Sequence, residues 1–174
     1  MITALLSGCG GTRSGEAVLR WQRELEAAPG FSFTAEITAM GVEGGTSFSV
    51  TCRCREGVTE AELTAPELLR GVGFRTEAGS TEIVFDGVVL SLGGITREGL
   101  SPCGVLPLLT EALIRGRVLY TWREEGLPAA ALECGDEQSV SVWFSEDMRP
   151  LRAEFTEEGR TLLFCTIENW AVEA

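Results

Sequence analysis

Apolar and polar residues change period once along the chain. Over 14–28, Val18, Trp21, Leu25 and Ala28 recur three or four residues apart, with Arg20, Arg23, Glu24 and Glu26 between them. That stripe predicts an amphipathic helix, with Ser14 as its N-cap and Pro29-Gly30 as its stop. After Gly30 the period becomes two. Phe31, Phe33, Ala35, Ile37 and Ala39 alternate with Ser32, Thr34, Glu36 and Thr38, which predicts a strand with one buried face. The chain turns at 41–45, and Phe48, Val50, Cys52 and Cys54 alternate in a second strand. Strand patterns follow at 58–64, 73–76, 80–85, 88–92, 118–124, 127–134, 138–145, 149–157 and 160–170. Glycine-bearing turns separate most of them: Glu56-Gly57, Ala78-Gly79, Asp86-Gly87, Gly126, Gly135 and Gly159. An Asp-Gly pair between apolar runs is a hairpin signal, and connections this short give an antiparallel meander.

Two segments interrupt the strands. Residues 66–71 read as a helical turn. Residues 102–116, PCGVLPLLTEALIRG, read as a helix whose apolar residues run most of the way round, so it is buried on most sides. About eleven strands are more than lie flat in an open sheet. They curl, and the concave face must be filled. The expected fold is α+β, mainly antiparallel β: a curled half-open β-barrel of about eleven strands, with helices filling or capping the concave side. Phe33, Ile37, Phe48, Val50, Ile83, Phe85, Leu109 and Leu113 are the candidates for its apolar interior. An occupied cavity and a closed core leave the same pattern there.

Composition narrows the chemistry. The formal net charge is −12 and all fourteen cations are arginine, with no lysine and no histidine. Nucleic acid is not an expected partner, because phosphate binding needs clustered cations. The usual neutral-pH base and the commonest metal ligand are both missing. Glu124-Glu125 and Glu157-Glu158 fall in turns, where solvated charge is the default, and no carboxylate pair facing one cleft is identifiable. No enzyme activity, metal or cofactor is therefore expected. No apolar run approaches the ~20 residues that cross a bilayer.

Six cysteines stand at 9, 52, 54, 103, 134 and 165. Cys52 and Cys54 share a strand face and do not bridge each other. The strand cysteines read either as one inter-strand disulfide or as small buried apolar residues. Trp21, Trp122, Trp143 and Trp170 suit core filling, a ligand site or a partner surface. Trp143 points opposite to Val140, Val142 and Phe144.

Near the start, Leu6-Ser7-Gly8-Cys9 resembles the lipobox of bacterial lipoproteins. The resemblance implies cleavage before Cys9 and diacylglyceryl attachment to its sulfur, a lipid anchor at Cys9. Residues 1–15 are then signal-peptide remnant, lipobox and flexible tether, and 16–174 form one domain. The helix-then-meander order, carried by FSFTAEITA, by APELLRGVGFRTEAGSTEIVFDGVVLSLGG leading into SPCGVLPLLTEALIRG, and by VSVWFSEDMRPLRAEFTEEGRTLLFCTIENW, resembles the bacterial lipoprotein carrier (LolA/LolB-like) superfamily. An anchored member is similar to clostridial sporulation and germination lipoproteins of this fold. The resemblance implies lipid binding in the half-barrel, with a lipid or acylated protein as partner, on the extracytoplasmic face of a bacterial membrane. Its alternative is an adaptor with a filled core that docks a cell-envelope protein, such as a cell-wall amidase in germination.

Overall fold

The protein is described from a computed structural model that covers residues 11–41, 44–94, 102–134, 138–157 and 159–174. Helix α1 spans Gly11–Ala27 and is followed by β1 (Gly30–Gly41), β2 (Gly44–Arg55) and β3 (Val58–Ala65). A 3-10 turn at Glu67–Leu69 leads into β4 (Gly73–Glu77), β5 (Ser80–Phe85) and β6 (Val88–Gly94). Helix α2 (Pro102–Arg115) precedes β7 (Val118–Glu124), β8 (Leu127–Glu133), β9 (Gln138–Phe144), β10 (Pro150–Glu157) and β11 (Arg160–Val172). The sequence pattern began the first helix at Ser14; it begins at Gly11, drawing in residues 11–13 that were expected in the tether. Nothing between Gly11 and Ser14 breaks a helix, since glycine costs only about 1 kcal/mol there.

All eleven strands lie in one antiparallel sheet, in the order β6-β5-β4-β3-β2-β1-β11-β10-β9-β8-β7. The first and last of the described strands are neighbours at its centre, and β6 and β7 are its edges among the described residues. The sheet does not close, so the fold is the expected half-open barrel. Four hairpins turn on an X-Gly pair: Glu56-Gly57, Ala78-Gly79, Asp86-Gly87 and Glu125-Gly126 have positive φ at both residues. This is the turn whose twist matches the flanking strands, and it needs glycine's freedom at the second position.

The register places apolar residues in rows across the inner face. Phe33, Cys52, Ala61, Phe74, Ile83 and Leu90 stand opposite one another from β1 to β6. On the other side of β1, Ile37, Cys165, Ala153, Val142 and Ala130 do the same as far as β8. The helices lie in the trough and touch β2, β3, β7 and β8. Val105, Leu106, Leu109, Ala112 and Leu113 of α2 are buried, as are Val18, Trp21 and Leu25 of α1. Each fully buried Val or Leu of this kind stabilises the fold by about 1.5–3 kcal/mol. A train of rings seats α1: Trp21 meets Phe144 edge-on at 5.1 Å, and Trp170 lies 4.9 Å from Phe31.

One buried polar side chain joins the helices. Gln22 donates through Nε2 to the Ala112 carbonyl at 3.3 Å and to the Gly116 carbonyl at 2.9 Å. The Gly116 carbonyl lies just past the end of α2, where carbonyls lack a partner within the helix; that of Ala112 also accepts the Gly116 N–H at 2.8 Å. Gly116 is required there, because a Cβ would sit 2.5 Å from the Ala112 oxygen and 2.9 Å from that of Glu133.

Cys52, Cys54, Cys134 and Cys165 are free thiols, which answers the disulfide question for these four in favour of small apolar residues. Cys9 lies outside the described residues, and the side chain of Cys103 is not among them. Trp143 does lie on the outer face. It is nevertheless only 4 % exposed, because Trp122 packs edge-on against it at 5.5 Å and the Arg152 guanidinium covers its ring at 4.0 Å. Its indole N–H donates to Glu124 at 2.8 Å, and that of Trp122 donates to the same carboxylate at 3.2 Å. These two bonds, with Arg152 nearby, hold the Glu124 carboxyl below the usual carboxylate range.

Candidate functional site

The helices do not fill the whole trough. α2 presses one side against the sheet, and its other side, with Leu108 and Ile114, faces a cavity of about 850 Å³. The cavity is bounded by the end of α1 (Leu25, Glu26, Ala28), the start of β1 (Gly30, Phe31), and the β2–β3 and β4–β5 turns. Gly30 lets β1 and β2 close at its floor, where a Cβ would lie 2.6 Å from the Cys54 carbonyl oxygen.

The floor changes character along the strands. One inner row is the apolar series from Phe33 to Leu90 described above. The next row, two residues nearer the β2–β3 and β4–β5 turns, reads Phe31, Cys54, Thr59, Thr76, Thr81. Thr59 is 8 % exposed and faces Thr110 of α2, itself 2 % exposed, with 2.9 Å between their hydroxyl oxygens. Thr110 donates to the Pro107 carbonyl at 3.0 Å. Thr76 and Thr81 pair at 2.8 Å. Burial pushes the Cys54 thiol up from its ordinary value, and the Thr59 hydroxyl opposes this weakly. Charge appears only at the rim. Glu26, Glu56 and Glu111 outnumber Arg55 and Arg115 there. Both arginines are engaged: Arg115 Nε meets Glu26 at 3.0 Å, and Arg55 Nε meets Glu173 at 3.5 Å.

Of the residues expected to line the interior, Ile37, Val50, Leu109 and Leu113 lie in the closed core, and Phe33, buried with them, also borders a pocket along β1–β5. Phe48 and Ile83 pack against the core partly buried, and Phe85 is half exposed. The cavity described here is walled instead by Leu25, Phe31, Cys54, Leu108 and Ile114, with Thr59, Thr76 and Thr110 between them. Sequence reasoning passed over the threonines. The available signal was the inner-face parity of Thr59 with Ala61 and Leu63, and a lone Thr110 on a helix otherwise apolar on that face.

Two other surfaces stand out. A second pocket of about 600 Å³ lies along β1–β5, lined by Phe33, Cys52, Ala61 and Phe74 as well as by Arg53, Glu60 and Arg75. The edge hairpin of β5 and β6 leaves Phe85, Val88, Val89 and Leu90 exposed, and Leu68 on the 3-10 turn is 90 % exposed. No helix among the described residues is long and apolar enough to cross a membrane.

No family model matches the sequence, and no curated protein matches it. Solved structures do match. A LolA superfamily protein from Nitrosomonas europaea superposes with a TM-score of 0.54 at 12 % identity, covering 92 % of this chain and 94 % of that one. The fold is LolA-like. A putative outer membrane lipoprotein-sorting protein domain from Vibrio parahaemolyticus shares the LolA-like fold at a TM-score of 0.51 and 11 % identity, with 93 % of each chain covered. An uncharacterised conserved protein from Thermus thermophilus matches at 0.53 and 11 % identity, over 91 % of this chain and 87 % of that one.

Proposed function

We propose that the protein is a non-enzymatic, lipid-anchored extracytoplasmic lipoprotein that encloses an apolar ligand, a lipid or the acyl group of an acylated protein. The observation that carries this reading is the cavity of about 850 Å³ between α1, α2 and the β2–β3 wall, walled in part by Leu25, Phe31, Leu108 and Ile114. Its size lies within the roughly 300–1,000 Å³ range of small-molecule pockets. The side chains around it suit enclosure: the described thiol on its wall is held protonated, and its carboxylates stand at the rim. The LolA-like fold, shared with a domain named for lipoprotein sorting, agrees with a carrier. The anchor rests on Leu6-Ser7-Gly8-Cys9; two acyl chains at Cys9 give stable attachment at ~0.8 kcal/mol per buried CH₂.

Native mass spectrometry of protein made in cells and purified without detergent tests enclosure. One co-purified lipid per chain is expected, and bare protein counts against it. Cys9→Ala in a gene carrying a complete export signal should move the protein to the soluble fraction; membrane retention removes the anchor from the account.

The exposed apolar hairpin at the sheet edge favours a second reading, an adaptor that docks a cell-envelope protein such as a cell-wall amidase by strand addition at β6. A stoichiometric protein partner without lipid in the same spectra would select it.

A further inference from the structure

We infer that the ligand's polar group is uncharged and carries a hydroxyl, as in a mono- or diacylglycerol, and that the threonine row of the cavity floor reads it. The inference rests on the enclosure reading and adds a head-group chemistry to it. Thr59, Thr76 and Thr110 all line the cavity, beside walls of Leu25, Phe31, Leu108 and Ile114. Hydroxyls in such a wall cost free energy unless bonded. They are bonded, but in a way that leaves capacity open. Thr110 gives its proton to the Pro107 carbonyl, so Thr59 gives its own to Thr110 across 2.9 Å. The same Thr59 proton also reaches the Cys54 sulfur at 3.8 Å, and with the Thr110 proton committed to Pro107 the Thr59 oxygen keeps its accepting capacity. The Thr76–Thr81 pair spends one of its two protons on itself and keeps the other. The floor thus offers an acceptor and a donor side by side on neighbouring strands, the complement of an alcohol. Packing does not require them, since a hydrogen-bonded pair replaced by apolar groups of equal shape is nearly neutral for stability.

The rim argues against a charged head. Three carboxylates face two arginines, and both arginines already hold carboxylates. An anionic lipid would meet net negative charge there on a protein of charge −12.

The test uses the uncharged fluorophore N-phenyl-1-naphthylamine to report on the cavity. It is displaced by monooleoylglycerol, methyl oleate or oleate below their aggregation concentrations. Monooleoylglycerol should displace it about tenfold better than either competitor, a difference the size of one to two hydrogen bonds. Thr59→Val with Thr76→Val should erase that advantage without changing fluorophore affinity, and the two Thr→Ser changes should restore it. Equal displacement by all three lipids, or a preference that survives the valines, overturns the inference while leaving enclosure intact. A wild-type protein that binds no fluorophore overturns enclosure and this inference together.

Discussion

The two wings of the sheet carry the same alternating pattern and end in opposite states. In the C-terminal wing, β7–β10, both faces of β8 and β9 are covered, while Leu119 and Tyr120 on the edge strand β7 and Leu151 on β10 stay exposed. Ala130, Leu132, Val140, Val142, Phe144 and Phe155 are buried within, and Ala129, Ala131 and Trp143 are buried without. In the N-terminal wing, β4–β6, Phe85, Val88, Val89 and Leu90 remain exposed. The difference follows from where the helices lie: α1 and α2 reach β7 and β8 on one side but β2 and β3 on the other. Apolar strand residues become core only where something covers them. The cavity sits at the seam between the covered part and the bare one, where a trough can both hold a ligand and admit it.

The largest effect should come from the covered wing. Phe144→Ala removes a ring packed on Trp21 and should cost about 3–5 kcal/mol in chemical denaturation. A loss below about 1 kcal/mol would mean that this wing is looser than its burial implies. Next comes the tie between the helices. Gln22→Ala removes the side-chain donor of the Gly116 carbonyl, while Ala112 keeps the Gly116 N–H, and should cost about 1 kcal/mol. If stability is unchanged, α2 is held by packing alone.

A pH series tests burial at the centre of the sheet and in the C-terminal wing. Burial raises the Cys165 thiol to about 12 and, with help from Glu111 and Glu133, the Cys134 thiol to about 11, from an ordinary 9.0. The folded state keeps these protons while the unfolded chain loses them. The stabilisation is therefore complete below pH 9 and is lost progressively between pH 9 and about 12 as pH rises. Thermal melts should be flat at neutral pH and fall in that window, and Cys165→Ala should flatten the fall; an unaltered slope in that variant contradicts the assignment. The smallest effect belongs to the bare wing, where Leu90→Ser should change stability by no more than about 0.5 kcal/mol. A large loss would reveal a covering element over β6.

Most of the fold was legible because alternation and Gly-bearing turns are local signals. Asp86-Gly87 and Glu56-Gly57 punctuate the hairpins where expected, and the breadth of apolar residues on α2 announced its burial. Coverage was not legible. Phe85 and Phe144 are both apolar strand residues near a turn, and only the lie of the helices makes one half exposed and the other fully buried. The same holds for Trp143, whose outward parity was clear but whose shielding by Trp122 and Arg152 depends on cross-strand neighbours. The threonine row escaped because it becomes a row only when the register sets Thr59, Thr76 and Thr81 side by side.

The central claim is that the seam, and not the bare wing, holds the apolar ligand. Leu108 of α2 lines the cavity, half-buried at the edge of the core. Fluorophore titration of Leu108→Trp, which fills that space, is the most direct measurement. About tenfold weaker binding with an unchanged melting temperature is predicted, a loss of the order of one well-packed apolar contact. Undiminished binding by Leu108→Trp, abolished instead by Leu90→Ser, would place the ligand on the exposed hairpin and contradict the account.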